Sequence, residues 1–209
     1  MRAPRDRHPA IPPRALSRRA ILAMAAAQAA TLAFGASKME LVEGNPNSPV
    51  KVMIYEDLQC GDCLALRTLL DEKILPRYAS RVAFVHRDFP LPKHEWARAA
   101  ALAGRWVSEK DRVLGVRFRR EILSEHLHLK TDTIENWVRQ FAIRNKLDTD
   151  GIVSAFTDAR LIGLLEQDRQ AAMARGVTKT PTMFIASQPF VEIIIYEEVA
   201  RALDVELGH

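Results

Sequence analysis

Cysteine is scarce in this sequence of 209 residues, which contains only Cys60 and Cys63. A bond between them would close a very short loop, and a structural disulfide stabilises a fold least when its loop is short. A scaffold held together by disulfides is therefore excluded. After residue 36 the chain also lacks internal repeats and low-complexity tracts, while 48% hydrophobic and 27% charged residues are ordinary for a folded protein. At this length, one globular domain is the expectation.

Outside its N-terminal segment, the sequence has almost no net charge. Residues 1–36 contain six arginines and one aspartate, a net charge of +5, which leaves −1 for the remainder of a chain whose total is +4. Proteins that bind nucleic acids usually present a basic stripe to the phosphates. We therefore expect no nucleic-acid partner.

Residues 1–36 have the layout of an export signal. A basic stretch ends at Arg19, and an alanine-rich apolar run follows over residues 20–36. Arg18 and Arg19 resemble the pair of a twin-arginine signal, although the general export route stays open. The run is short and weakly hydrophobic for a permanent membrane span, which favours cleavage over an uncleaved anchor. The predicted location is the periplasm or another extracytoplasmic compartment of a bacterial envelope.

A strand, a helix and a second strand follow the leader. Residues 37–48 are rich in turn formers and predict a linker or a lead-in to the first central strand, and one domain is expected over residues 49–206. Its first strand covers residues 51–56, a helix starts at the cysteines, and the next strand covers residues 81–88. This order predicts a βαβ unit with parallel strands.

The second half of the domain is predicted to be mostly helical. Residues 92–176 contain almost no strand pattern and several helical ones, which predicts a helical insertion. Residues 182–186 and 190–195 then predict a hairpin, with residues 187–189 as its turn. A final helix is expected over residues 196–207.

The two cysteines stand where a strand gives way to a helix. At a helix N-terminus, free backbone N–H groups and the positive end of the helix dipole favour a thiolate, which is the species that attacks a disulfide. Cys60 is therefore the candidate nucleophile. Cys63, one turn further on, is placed to attack the mixed disulfide that Cys60 forms and to release the partner.

Other interpretations of the cysteines remain open at this point. A structural zinc site needs four ligands, yet no second C-x-x-C exists, and the one tight histidine pair, His126 and His128, lies in the predicted insertion. A carrier of Cu(I) needs only two soft thiolates and is harder to exclude. Two inert buried cysteines are the third alternative.

Three segments together resemble a known family. They are residues 55–63 (YEDLQCGDC), 86–91 (HRDFPL) and 180–185 (TPTMFI). This combination resembles the DsbA-like family of bacterial envelope thiol:disulfide oxidoreductases, over nearly all of residues 45–206. The resemblance implies an α/β architecture, namely a thioredoxin fold with a central β-sheet flanked by helices and with an inserted all-helical subdomain.

The resemblance also implies roles for particular residues. Pro181 is expected to be a cis proline packed beside Cys60, and Thr180 to present its backbone to the substrate chain, because an exposed strand edge can pair with an extended peptide. The implied activity is protein-disulfide exchange on cysteine-containing exported proteins, with no cofactor and no metal. A further redox protein, which the sequence does not identify, would reset the pair. A monomer is expected, because residues 37–50 show no dimerisation domain.

The residues between the cysteines depart from the pairs familiar in that family. Gly61 and Asp62 are expected to tune the redox chemistry, and the acid of Asp62 is expected to raise the pKa of Cys60 by like-charge repulsion. A raised pKa would make the disulfide less oxidising. Whether the protein acts as an oxidase, or as a dithiol reductase or isomerase, therefore stays open.

Several polar residues are interpreted as solvated. Glu56 and Asp57 are either proton carriers for Cys63 or, more often in such positions, solvated strand ends. His94 is expected at the surface or at a helix cap. The run of residues 117–120 (RFRR) is expected to be an exposed helix face.

Overall fold

The computed structural model describes residues 40–208. The predicted export signal at residues 1–36 and the beginning of the predicted linker lie outside these described residues. Within residues 40–208, no helix is both long enough and apolar enough to cross a membrane.

Five strands form one mixed sheet at the centre of the domain. They are β1 Leu41–Gly44, β2 Lys51–Glu56, β3 Ala83–Asp88, β4 Thr182–Ile185 and β5 Gln188–Val191. Their order across the sheet is β1-β3-β2-β4-β5. β2 and β3 run parallel with Lys51 opposite Ala83, as the predicted βαβ unit requires, and the other three pairings are antiparallel.

The linker prediction for residues 37–48 is wrong over its middle part. Leu41–Gly44 forms β1, which pairs antiparallel with β3 at the edge of the sheet. Leu41 and Glu43 are both buried, and Glu43 is ion-paired in the interior. A strand of four residues with a charge on its inner face has no hydrophobic alternation long enough to be recognised in the sequence.

The helix that carries the cysteines is long but not uniform. It runs as α1 over Gly61–Leu69, passes through a π-helical stretch at Leu70–Ile74 and ends as α2 over Leu75–Tyr78. Leu66, Leu70 and Ile74 are buried on its sheet side. This apolar face fixes the helix against the sheet and so fixes the position of the cysteines at its start.

Between β3 and β4 the described chain contains helices and loops but no strand, which confirms the predicted insertion. It contains α3 Ala97–Lys110, α4 Arg112–Ser124, α5 Ile134–Arg144, α6 Thr149–Ser154, a 3-10 turn Ala155–Thr157 and α7 Ala159–Ala174. Aspartates begin three of these helices: the carboxylates of Asp111, Asp148 and Asp158 accept hydrogen bonds from backbone N–H groups of the first turn.

The hairpin exists, but its turn is shorter than predicted. Ala186 and Ser187 make the turn, and Ala186 has a positive φ of 49°. β5 therefore begins at Gln188 and ends at Val191, and Ile193 beyond it is 83% exposed. The apolar residues at 193–195 suggested a longer strand, yet they follow the last residue that pairs with β4. The final helix, α8, covers Tyr196–Glu206.

The two largest hydrophobic clusters of the described residues lie on the sheet and in the insertion, and the cysteines belong to the second. One lies between the sheet and its helices α1, α2 and α8, around Val52, Phe84 and Leu203. The other fills the insertion and contains Trp96, Phe118, Phe141, Leu58, Cys60 and Cys63 among its buried residues. The architecture is thus the α/β fold that was expected, a central sheet flanked by helices with a helical insertion.

Candidate active site

Cys60 stands at the junction of an extended segment and a helix. It is the N-cap of α1, with φ −89° and ψ 126°, and both cysteines are buried free thiols. The thiol of Cys60 donates to the carbonyl oxygen of Thr180 at 3.4 Å. The peptide bond between Thr180 and Pro181 is cis, which confirms the geometry that the resemblance implied.

The surroundings of Cys60 favour its thiolate. A hydrogen bond from the Cys63 side chain is the largest cause that lowers its pKa to about 6, and the N–H groups of Cys63 and Asp62 act in the same direction. The pKa of Cys60 is therefore lowered, and not raised as the charge of Asp62 led us to expect. Asp62 is exposed at the start of α1, where it contributes its backbone N–H to the cysteine.

Cys63 is more deeply buried than Cys60, and its pKa is shifted in the opposite direction. Burial is the main cause that raises its pKa well above the ordinary range, and the hydrogen bond with Cys60 and the charge of Glu56 add to the effect. Its sulfur accepts a hydrogen bond from the N–H of Asp57 at 3.4 Å. A thiol that keeps its proton can donate it in a hydrogen bond to the neighbouring thiolate.

Behind Cys63, a buried network of charges surrounds Glu56. Its Oε2 lies 2.8 Å from Nδ1 of His86 and accepts hydrogen bonds from Nε and Nη2 of Arg119 at 3.2 and 3.0 Å. Burial alone would raise the pKa of Glu56, but His86 and Arg119 lower it to about 2. The second oxygen, Oε1, is buried and has no hydrogen-bond partner among the described residues.

The network extends across the sheet and into the insertion. Arg119 also binds Asp88 at 2.5 Å, and Arg105 joins Asp88 to Asp168. These groups and His86 line a cavity of about 40 Å³, which is large enough to hold a water molecule. The second ring nitrogen of His86, Nε2, lies 2.9 Å from Oε1 of Glu43.

Two of the interpretations made from the sequence fail here. Glu56 and Asp57 are each 1% exposed and are not solvated strand ends. Arg119 is buried, so the run at residues 117–120 is not an exposed face. No local pattern distinguishes Arg119 from its exposed neighbours, because its partners lie on strands far away in the sequence.

Asp57 and Gln59 tie the cysteine segment to the start of the insertion. Oδ2 of Asp57 accepts from the N–H of Leu91 at 2.7 Å and lies 2.8 Å from Nδ1 of His94. The side-chain oxygen of Gln59 accepts from the N–H groups of residues 96 and 97 at the start of α3. His94 is therefore a partner of a buried carboxylate rather than a surface or cap residue.

A groove opens beside Cys60. Its volume is about 390 Å³, and it is lined by residues from four segments: Cys60, Asp62, Leu91, Pro92, Lys93, Thr178, Lys179, Thr180 and Glu192. Nζ of Lys179 binds Glu192 at 2.7 Å across it. The groove thus joins the reactive sulfur to the cis proline loop, with charges of both signs at its rim.

The structure brings together all the residues that the sequence analysis selected. Cys60 contacts the loop of Thr180 and Pro181, Cys63 lies behind Cys60, and Gly61 and Asp62 lie between the cysteines in the sequence. Over residues 40–208 no group of three or more histidine, cysteine and acidic side chains is placed to hold a metal ion. The two sulfurs are the soft ligands that this site offers.

A sheet of this order, with C-x-x-C at a helix start and a cis proline against the first cysteine, defines the class of thioredoxin-fold thiol proteins. A family model described as Thioredoxin matches residues 36–205. The chain belongs to the thioredoxin family.

Solved structures of DsbA-type proteins share this fold. BdbD from Bacillus subtilis, in its oxidised form, superposes with a TM-score of 0.74 at 18% identity, over 82% of this chain and 95% of that one. The thiol-disulfide exchange protein α-DsbA2 from Wolbachia pipientis gives 0.68 at 21% identity, over 93% of this chain and 100% of that one. The DsbA-like, thioredoxin-fold architecture expected from the sequence is thereby confirmed.

A curated protein of another kind also matches part of the chain. The Na(+)/H(+) antiporter NhaA 3 of Salinispora tropica is 30% identical over 145 residues, which are 69% of this chain and 21% of the antiporter. This chain therefore spans about a fifth of the length of that relative.

Proposed function

We propose that this chain is a protein-disulfide oxidoreductase that passes its Cys60–Cys63 disulfide to cysteine-containing exported proteins. The observation that carries the proposal is the division of roles between the two sulfurs, since the pKa of Cys60 is lowered to about 6 while that of Cys63 is raised. A fold that supports thiol-disulfide exchange and a groove beside Cys60 agree with it. Export to the periplasm or another envelope compartment follows from the leader at residues 1–36 and is part of the proposal.

The reaction begins from the oxidised pair. A client thiolate attacks the sulfur of Cys60, the bond to Cys63 breaks, and Cys63 leaves as a thiolate that takes up a proton. A second client thiolate then attacks the client sulfur of the mixed disulfide and expels Cys60 as a thiolate. Two electrons have passed from the client to the pair, and the client holds the disulfide.

The low pKa of Cys60 favours this direction. A thiol of lower pKa is the better leaving group, and a stabilised thiolate stabilises the reduced form of the protein. A pKa of about 6 is lower than the value of about 7 in thioredoxin and higher than the value of about 3.5 in DsbA. We therefore expect a disulfide donor of intermediate strength, rather than a reductase or isomerase that rests as a dithiol.

The client chain is proposed to bind along the groove beside Cys60. Thr180 would offer its backbone to an extended segment of the client, and Pro181 would hold that loop against the sulfur. Gly61 and Asp62 would tune Cys60 through the start of α1. The protein would act as a monomer without a cofactor, and a separate redox protein would reoxidise the pair.

The test is the oxidative refolding of reduced ribonuclease A in a glutathione buffer, in which oxidised glutathione is the oxidant, followed by the return of ribonuclease activity. The wild-type chain should accelerate refolding, Cys60→Ser should abolish the effect, and Cys63→Ser should accumulate a mixed disulfide with the client. Far-UV circular dichroism establishes that each variant is folded. Acceleration that persists in Cys60→Ser would overturn the proposal, and so would stoichiometric Cu(I) binding without any exchange.

A further inference from the structure

A cleft adjoins the groove beside Cys60, and its volume is about 220 Å³. Leu91 and Pro92 line both the groove and the cleft, so the loop at residues 90–92 forms the boundary between them. Pro90 and Leu165 extend the apolar wall of the cleft, and helices α3 and α7 of the insertion contribute an arginine each. The cleft is thus adjacent to the groove in which we propose that the client chain binds.

Arg98 brings to this cleft a positive charge that the fold does not use. It is exposed, and no ion pair or hydrogen bond joins its side chain to another of the described residues. It stands in the first turn of α3, where the helix dipole favours acidic side chains, and no acid occupies that turn. The stability of the helix therefore does not explain an arginine at this position.

Arg169 lines the same cleft from α7. Its guanidinium lies 5.7 Å from the centre of the Phe89 ring, next to the boundary loop. Its Nε has no hydrogen-bond partner within residues 40–208, and Oε2 of Glu166 lies 3.8 Å from it, which is beyond hydrogen-bond distance. The contact with the ring thus holds a guanidinium whose hydrogen-bond donors remain available.

The other charged or titratable side chains that line the cleft already have partners. Nδ1 of His94 lies 2.8 Å from Oδ2 of Asp57, and Oε2 of Glu95 accepts a hydrogen bond from the hydroxyl of Thr131 at 2.6 Å. The two guanidiniums are therefore the groups that a ligand would meet. A guanidinium presents its N–H donors in a planar fork that matches a carboxylate, so a carboxylate is the ligand that this cleft fits.

We propose that Arg98 and Arg169 form a subsite for an acidic side chain of the client protein, a few residues from the client cysteine that reacts with Cys60. The inference rests on the proposed function and adds a sequence preference to it. An extended chain advances about 3.3 Å per residue, so a client segment that lies along the groove crosses the loop at residues 90–92 within a few residues. Carboxylates are the anionic groups that an unmodified polypeptide offers.

The test is a position scan with short peptides that carry one cysteine and blocked termini, so that only a side chain can supply a carboxylate. Glu is placed in turn at each of the four positions before and after the cysteine, and each peptide is compared with its Gln counterpart. Two peptide thiols reduce the disulfide of the oxidised full-length chain and end as a peptide disulfide, and alkylation of the protein thiols gives the rate. The reaction of each peptide with oxidised glutathione corrects for the effect of Glu on the peptide thiol itself.

In the wild type, the Glu peptide should react about fivefold faster than the Gln peptide at one position, or at two adjacent positions, on one side of the cysteine. Arg98→Gln and Arg169→Gln should each reduce this ratio to about two or less. The matched control is Arg112→Gln, which removes the same charge from an exposed side chain that lines neither the groove nor the cleft and should keep the preference. Circular dichroism verifies the fold of each variant.

Two results would overturn the inference. One is a ratio near one at every position in the wild type, and the other is a preference for Glu that survives unchanged in Arg98→Gln. In both cases the peptides still reduce the protein, so the proposed function stands. A wild-type chain that no peptide reduces would overturn the proposed function itself, and the subsite with it.

Discussion

Arg119 donates two hydrogen bonds to Oε2 of Glu56, from Nε at 3.2 Å and from Nη2 at 3.0 Å. Both side chains are buried, and the contact joins the insertion to the strand that leads into the cysteines. Against the effect of burial, His86 and Arg119 keep Glu56 ionised, and this charge helps to keep the proton on Cys63. The insertion therefore contributes to the division of roles between the two sulfurs.

The charge of Glu56 should have a measurable effect on the pKa of Cys63. Burial is the largest cause of the raised pKa of Cys63, and the charge of Glu56 adds to it, so Glu56→Gln should lower that pKa and still leave it above the ordinary range. The ultraviolet absorbance of the thiolate in the reduced protein, followed to high pH, reports the change. Glu72→Gln, at an exposed position on the same long helix, is the control. If the ionisation of Cys63 at high pH is the same in Glu56→Gln as in the wild type, the role given to Glu56 is contradicted.

Removing Arg119 should cost much more stability than removing its neighbour Arg117. Arg119→Met leaves Glu56 and Asp88 as buried charges with fewer partners, which typically costs about 3–5 kcal/mol. Arg117 is 55% exposed and pairs with Glu121 at the surface, where a pair is worth about 0–1 kcal/mol. Urea unfolding of Arg119→Met and Arg117→Met compares the two. Equal losses would show that the buried network contributes little.

The buried carboxylates should make the protein sensitive to acid. Burial would raise the pKa of Glu43 and Glu56, but His86 and the neighbouring arginines lower both from 4.5 to about 2. Groups with a lowered pKa stabilise the fold above their unfolded value, and this contribution is lost as the pH falls through the folded value. The free energy of unfolding in urea should therefore decrease between about pH 5 and pH 2.

A substitution separates this effect from general acid unfolding. Glu43→Gln should make the decrease between pH 5 and pH 2 shallower, because one of the two shifted carboxyl groups is gone. Glu166→Gln, at a side chain that is 47% exposed, should keep the wild-type slope. The same slope in Glu43→Gln and in the wild type would contradict the assignment.

The parts of the fold that depend on neighbouring residues could be predicted from the sequence. The apolar strand before Cys60, the helical spacing of Leu66, Leu70 and Ile74, and the Thr180-Pro181 pair are local patterns, and each has its expected place. They were enough to indicate the fold class, the insertion and the redox pair.

The electrostatics of the site could not be predicted in this way. Glu56 and Arg119 lie 63 residues apart, and the run at residues 117–120 has the composition of an exposed helix face. Asp62 was expected to govern Cys60 by its charge, but hydrogen bonds from Cys63 and from backbone N–H groups have the larger effect. These contacts exist only after the insertion has packed onto the sheet.

The central claim is that the Cys60–Cys63 pair is a disulfide donor of intermediate strength, and its equilibrium with glutathione tests this most directly. The purified chain is equilibrated across a glutathione series, and its redox state is read from the mass added by a thiol-alkylating reagent. The account predicts a midpoint between that of thioredoxin, about −270 mV, and that of DsbA, about −120 mV. A midpoint at or below the thioredoxin value would contradict it and would indicate a protein that works as a reductase.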